Sequence, residues 1–486
     1  MPHSHSKNKS SCKRAVPERA AQKLHETPLE SESRKEANFQ EIEDQLPKRF
    51  TRSDMNFIDK GTSILGANNI FAKKADPKHN EVWVLDNLAF RPTAEGETET
   101  QPWEAEFVAC FFRTGRKDIT RTVSNIADLI GLDGISGNDP EARARIEERL
   151  MPFVQAIAPA RTVDINLSWP DPARLSHSRL LGPSNMNGIS SQLLLAGGGD
   201  DMDGQTATGT STEFPAVQFK TRYVGPQGWA IISDVDDTIK LTQTSNPLGI
   251  LQSTFADVPQ PAPGMSELYR ILHEALESPA WLYLSASPYN LYPFLSKFIS
   301  QHYPAGTLIL RPASWMYLGG LLQSFTEGVQ AYKTERMEKI HSWLPKRKFI
   351  CIGDSTQADP ESYAQMYAKY PEWIKAIYIR KVTDIPHMEN KNKNQRFIEA
   401  FKDVPDHVWR VFVNPQELAD HIKHLSGQAH SGIVGAMLGV WCGTHQDMKQ
   451  AHTPSKSQSQ TPLPHTPEAA TPRGPSPQPQ ERQTLP

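Results

Sequence analysis

From residue 229 to residue 413 the chain alternates short apolar runs with amphipathic stretches, and this pattern admits few folds. The apolar runs lie at 229–233, 281–284, 308–310, 349–352, 374–379 and 408–413, and stretches such as 265–276 and 334–343 carry helical spacing between them. Six buried strands separated by helices predict an open, largely parallel sheet with helices on both faces. Such sheets bind ligands beyond the carboxyl ends of their strands. The chemistry-bearing residues of this region fall at those ends.

The rest of the chain reads differently. Residues 51–170 contain EVWVLDNLAF, PWEAEFVACFF and RTVDINLSWP, in which apolar and polar residues roughly alternate, with the helical EARARIEERLMPFVQ between the last two. This predicts a β-rich domain preceding an α/β domain at 214–428. Between them, 171–213 is dominated by Ser, Gly, Asn, Asp and Thr, a composition expected to form a disordered linker or insert. Residues 1–50 read as a disordered extension with a weakly helical stretch near 20–46, and 452–486 as a disordered Pro-rich tail. The run 433–442, within a short apolar segment at 429–451, is about half the length of a membrane span, and predicts packing or an interface.

A formal net charge of −3 over 486 residues supplies no general attraction to nucleic acid or to an anionic membrane. Cys12, Cys110, Cys351 and Cys442 are too widely spaced for a zinc motif or a disulfide framework, so reduced thiols are expected. The charged N-terminus lacks the apolar core of a secretory signal.

Four segments carry the candidate chemistry. In GWAIISDVDDTIK an apolar strand opens into Asp234, Asp236, Asp237 and Thr238. Carboxylates two residues apart past a strand end, here Asp234 and Asp236, can face one site, one as nucleophile and metal ligand and the other as proton donor. An Asp-rich turn capping the next helix is the competing reading, and Asp237 is assigned to it. In FICIGDSTQADPESY a second strand opens into Asp354 and Asp359, so carboxylates from two strand ends could hold Mg²⁺ with waters and phosphate oxygens. Asp359 alone would also suit a helix N-cap followed by Pro360. WLYLSASPYNLY ends a strand in Ser285 and Ser287, hydroxyls suited to a phosphate oxygen or to a Ser-Pro turn. Lys333, one helix before the second acidic loop, could offset several carboxylates and a phosphate.

In this order, DVDDTIK, YLSASPYNLYPF and IGDSTQADPESY, with a lysine helix before the last, resemble the actin-patch-associated phosphatidate phosphatase family of fungi, within the haloacid dehalogenase-like superfamily. The resemblance implies a haloacid dehalogenase-like Rossmannoid catalytic domain and conversion of phosphatidate to diacylglycerol through an aspartyl-phosphate. It implies that Asp234 attacks phosphorus and ligates Mg²⁺, and that Asp236 handles the proton and offers its carbonyl to the metal. Thr238 then braces the loop, Ser285 binds the phosphoryl group and Lys333 steadies nucleophile and phosphate. Asp354 ligates the metal, and Asp359 supports it or pairs with Lys333. It further implies a cytoplasmic enzyme peripheral to phosphatidate-containing membranes at cortical actin patches. PxxP segments at Pro464, Pro467, Pro472 and Pro475 would engage SH3 domains. Trp315, Met316, Tyr317 and the run 433–441 are the candidate bilayer contacts. The alternatives are a phosphatase of a soluble phosphomonoester or phosphoprotein, and a non-catalytic SH3-binding adaptor.

Overall fold

The computed structural model describes residues 26–46, 72–92, 101–115, 118–131, 139–171, 173–312 and 319–427. Expectations for Trp315 to Tyr317, the run 433–441 and the tail 452–486 lie outside these residues.

The first sheet is built from β1 (Lys73–Lys74), β2 (Asn80–Val84), β3 (Asn87–Phe90), β4 (Glu104–Arg113), β5 (Arg161–Ser168), β6 (His177–Leu181), β7 (Ile189–Leu195), β8 (Thr206–Thr210) and β9 (Gln218–Tyr223). Alternation along β4, EAEFVACFFR, which gives way to full burial from Ala109 to Phe112, sends Ala105, Phe107, Ala109 and Phe111 into a core shared with Val163, Ile165 and Leu167 of β5. The polar stretch 171–213 is not a linker. It supplies β6, β7 and β8, and β7 pairs with β4 from Leu195 opposite Glu104 to Ile189 opposite Cys110. Antiparallel strands with one solvated face need few apolar residues, so Ser-, Thr- and Gly-rich strands resemble loop in composition. The β-rich part therefore continues through Tyr223.

The second sheet is parallel throughout: β10 (Trp229–Ser233), β11 (Ala280–Pro288), β12 (Thr307–Arg311), β13 (Lys348–Asp354), β14 (Ile374–Arg380) and β15 (Trp409–Phe412), in the order β12-β11-β10-β13-β14-β15. The predicted strand–helix alternation is present at every position. Along β10, Ala230 and Ile232 face a core made with the helices Val329–Trp343 and Asp359–Lys369. The next residue, Ser233, faces the helix Met265–Ala275, where its hydroxyl lies 2.7 Å from that of Tyr269. Chain order runs outward from β10 in both directions, so the switch point lies where β10 adjoins β11 and β13.

The two sheets share a core. Leu88, Phe90 and Val224 of the β-rich part pack into the parallel-sheet cluster, and Phe90 stacks on Trp343 with centroids 5.4 Å apart. Arg149, on the helix Pro140–Val154, donates to the carbonyls of Thr254 and Asp257 at 3.0 and 2.8 Å.

Part of the expected N-terminal extension is ordered against the parallel sheet's helices. Helices Pro28–Glu36 and Phe39–Gln45 bury Phe39 and Leu46, and Arg34 donates to the Thr326 hydroxyl at 2.6 Å. Few apolar side chains are needed, because the attachment is largely through polar groups. Among the described residues no helix is long and apolar enough to cross a membrane. Cys110 and Cys351 are buried and free.

Candidate active site

At the carboxyl ends of β10, β11 and β13 the sheet gathers the residues anticipated from the four segments. Strand β10 runs straight into the first acidic loop, and the Asp234 amide still donates to the carbonyl of Ile352 on β13 at 2.8 Å. The nucleophile candidate is therefore held by the sheet itself. Its Oδ1 accepts from Lys333 Nζ at 2.7 Å, and its Oδ2 lies 3.1 Å from the Thr238 hydroxyl. Thr238 also lies 2.8 Å from Asp354 Oδ2, so one hydroxyl bridges the carboxylates of two strand ends. It has one proton to donate, which the two carboxylates must share.

Asp236 points to a different set of partners. Its Oδ2 accepts from the hydroxyls of Ser285 and Ser287 at 2.7 and 3.1 Å, and its Oδ1 from that of Thr242 at 2.9 Å. Ser285, expected at a phosphate oxygen, is thus also a direct partner of the candidate acid. Thr242 was not anticipated. It sits six residues downstream in a loop that returns to the strand end, and no local periodicity marks it. Lys240, fully buried, donates to the Thr242 hydroxyl at 2.8 Å.

Asp237 does what a turn residue should, at larger scale. With φ of 64° it adopts the left-handed conformation, and its carboxylate accepts from the amides of Thr242, Gln243 and Thr244 at 2.8, 2.7 and 2.6 Å. It organises the loop that delivers Thr242. Arg380 at the end of β14 donates to the Asp237 carbonyl at 2.6 Å.

Asp359 opens its helix without capping it. One carboxylate oxygen accepts from Lys333, the other from the Asp354 amide at 3.1 Å. Gly353 makes this possible: a Cβ there would sit 2.6 Å from Asp359 Cγ. Of the alternatives for Asp359, pairing with Lys333 is the one observed. Gln357, unremarked in the sequence, accepts from Lys333 at 3.3 Å and donates to the Phe325 carbonyl at 2.9 Å.

The electrostatics show a surplus of negative charge. Ligand oxygens of Asp234, Asp354 and Asp359 lie within 4.8 Å of one another, and all three residues are buried. Burial pushes Asp234 well above the usual carboxylate range; Lys333 opposes this, while Asp359, Asp354 and Asp236 add to it. Asp354 is raised to about 6, by burial first and then by Asp359 and Asp237. For Lys333 burial works to depress the pKa, but Asp234, Asp359 and Asp354 outweigh it and hold the ammonium charged.

A doubly wound parallel sheet that collects buried carboxylates, hydroxyls and a charged lysine at its switch point defines an α/β catalytic domain. Residues 229–381 match the family model described as "Phosphatidate phosphatase APP1, catalytic domain". The chain is 30% identical over 184 residues to phosphatidate phosphatase APP1 of Saccharomyces cerevisiae, covering 36% of this chain and 30% of the relative. It is 32% identical over 160 residues to an uncharacterized protein of Schizosaccharomyces pombe, covering 32% and 25% respectively. The chain thus spans less than a third of the length of either relative.

Proposed function

We propose that this protein is a Mg²⁺-dependent phosphatidate phosphatase with a haloacid dehalogenase-like catalytic domain. The observation that carries the reading is the division of labour between Asp234 and Asp236. Asp234 accepts from Lys333 among the clustered carboxylates, whereas Asp236 accepts from the hydroxyls of Ser285, Ser287 and Thr242. The two carboxylates closest in sequence have different surroundings and can do different work.

In the proposed reaction a carboxylate oxygen of Asp234 attacks the phosphorus of the monoester. The bond to the diacylglycerol oxygen breaks, and Asp236 delivers a proton to that leaving alkoxide. Asp236, now ionised, takes a proton from water as the water attacks the aspartyl-phosphate, releasing phosphate and regenerating Asp234. Lys333 holds the Asp234 oxygen in place, and its charge favours the anionic phosphoryl group. Ser285 can turn toward a phosphoryl oxygen while Ser287 and Thr242 keep Asp236 oriented.

The donor set fits a divalent cation. Burial and mutual repulsion raise Asp234 and Asp354, and one lysine serves three clustered carboxylates. Asp234, Asp354 and the Asp236 carbonyl would hold Mg²⁺, with Asp359 supporting them through Lys333 and the Asp354 amide. When bound, Mg²⁺ supplies positive charge to the transferring phosphoryl group.

The lipid substrate draws its support from the yeast relative's described activity. The test sets phosphatidate in mixed micelles against a panel of soluble phosphomonoesters and phosphopeptides, with Asp236→Asn as the blank. A kcat/KM for phosphatidate at least tenfold above the panel, about 1.4 kcal/mol of discrimination, is expected. A value no better than the panel would refute the lipid substrate and leave the phosphatase.

The proposal extends to a peripheral membrane enzyme at cortical actin patches, recruited through the PxxP segments at Pro464 and Pro472. Deleting residues 452–486 is expected to abolish capture by SH3 domains of actin-patch proteins. Undiminished capture by the shortened chain would dispose of this recruitment.

A further inference from the structure

We propose that Glu30 is a positioning residue for Lys333, and that segment 26–46 is a clamp on which the chemistry of the parallel sheet depends. The catalytic half of this inference rests on the phosphatase reading above.

The helix Val329–Trp343 carries Lys333 and begins abruptly. Gly328 stands before it in the left-handed conformation, with φ of 61°, and offers no side chain as a cap. The first amides of a helix have no partner within it, and burial without one is costly. Here the partner comes from 298 residues earlier in the chain. The Glu30 carboxylate accepts from the amides of Gly328, Val329 and Gln330 at 3.2, 2.8 and 3.1 Å. It places a buried negative charge on the positive end of the helix dipole.

Glu30 is itself fixed. It closes a capping box with Thr27, whose amide donates to Glu30 Oε2 at 2.7 Å. One turn further, Arg34 donates to the Thr326 hydroxyl at 2.6 Å and pairs with Glu43 and Glu327. The segment therefore grips residues 326–330, the turn joining Gly319–Thr326 to the lysine helix.

Lys333 lies one turn inside that helix, and by helix geometry its own amide bonds to the carbonyl of Val329. A frayed first turn would loosen the point from which the lysine reaches Asp234, 2.7 Å away, and Gln357, itself tied to Phe325. Misplacement of a catalytic group by about an ångström can cost on the order of a hundredfold in rate. Glu30 touches neither substrate nor reacting atoms, and acts through Lys333.

The experiment uses the full-length chain with Glu30→Ala and Glu30→Gln, each also combined with Lys333→Arg. Amide hydrogen exchange reads the clamp, and steady-state hydrolysis of p-nitrophenyl phosphate reads the chemistry. In Glu30→Ala the amides of 328–333 should exchange faster while those of 334–343 keep their protection. The kcat should fall roughly tenfold with KM little changed, Glu30→Gln should lie between wild type and Ala, and the loss should vanish in the Lys333→Arg background. Unchanged exchange overturns the clamp. Faster exchange with an undiminished kcat overturns the positioning role, and so does an equal loss with and without Lys333, which would mark a general weakening of the fold. A wild-type chain inert toward every phosphomonoester would sink the phosphatase reading and the catalytic half with it, leaving the exchange data to judge the clamp.

Discussion

Asp234→Asn is expected to lower phosphatase turnover on the order of 10⁴-fold or more while leaving the protein folded, because an amide cannot form the covalent phosphoryl bond. The folded state should tolerate the change well. Burial and neighbouring carboxylates already push Asp234 toward its neutral form, so a neutral isostere removes a repulsive charge from the cluster. Lys333 keeps Asp359 as its counter-ion, and Thr238 keeps Asp354 as its acceptor. The melting temperature of metal-free Asp234→Asn should therefore equal or exceed that of wild type. Purified variant retaining more than a few per cent of wild-type activity would remove Asp234 from the nucleophile's role. Asp236→Asn should also be inactive, through loss of the proton donor, with the hydroxyls of Ser285 and Ser287 still donating to the remaining oxygen and that of Thr242 accepting from the new amide.

The second large effect links pH, metal and stability. Asp354 is raised to about 6 in the folded chain, against an ordinary aspartate value of 3.8. A carboxyl with a raised folded pKa binds its proton more tightly folded than unfolded. Its contribution to stability is complete below about pH 4 and is lost as pH rises through about 6. Asp234 acts in the same direction. The shift at Asp354 corresponds to on the order of 3 kcal/mol, or roughly 5–10 °C in melting temperature for a domain of this size. Mg²⁺ should reverse the loss only where the carboxylates are ionised. In EDTA, wild type should lose stability relative to Asp354→Asn between pH 4 and pH 7. Mg²⁺ should raise the wild-type melting temperature by several degrees at pH 7 and hardly at all at pH 4. Turnover should stop in EDTA and return with Mg²⁺. Thermal shifts that are equal at both pH values, or absent at pH 7, would count against a cation held by Asp354.

The candidate site was unusually open to sequence reasoning because each of its parts is a local event. A buried strand that ends in Asp234 or Asp354 announces where the core stops, and in a parallel sheet the carboxyl ends of β10, β11 and β13 must converge. The partners of those residues were less accessible. Thr242 reaches Asp236 through a loop shaped by Asp237, and Gln357 reaches Lys333 from the start of another helix. At 171–213 composition is a poor measure of order. Strands such as TATGT are held by ladder hydrogen bonds to β5 and β9, which no tally of apolar residues records.

Strand–helix alternation and the acids at the strand ends determined, by themselves, the parallel sheet and the residues that meet above it. Both depend on neighbours within a few positions, where backbone periodicity and burial leave a direct trace in residue order. Only the tertiary structure decided that Asp359 pairs with Lys333 instead of capping its helix, that Ser285 and Ser287 hold Asp236, and that Glu30 caps a helix beginning at Val329. Those choices are hydrogen bonds between groups far apart in the chain. A carboxylate accepts from any donor the fold brings near, and its own neighbours in sequence do not say which one that will be.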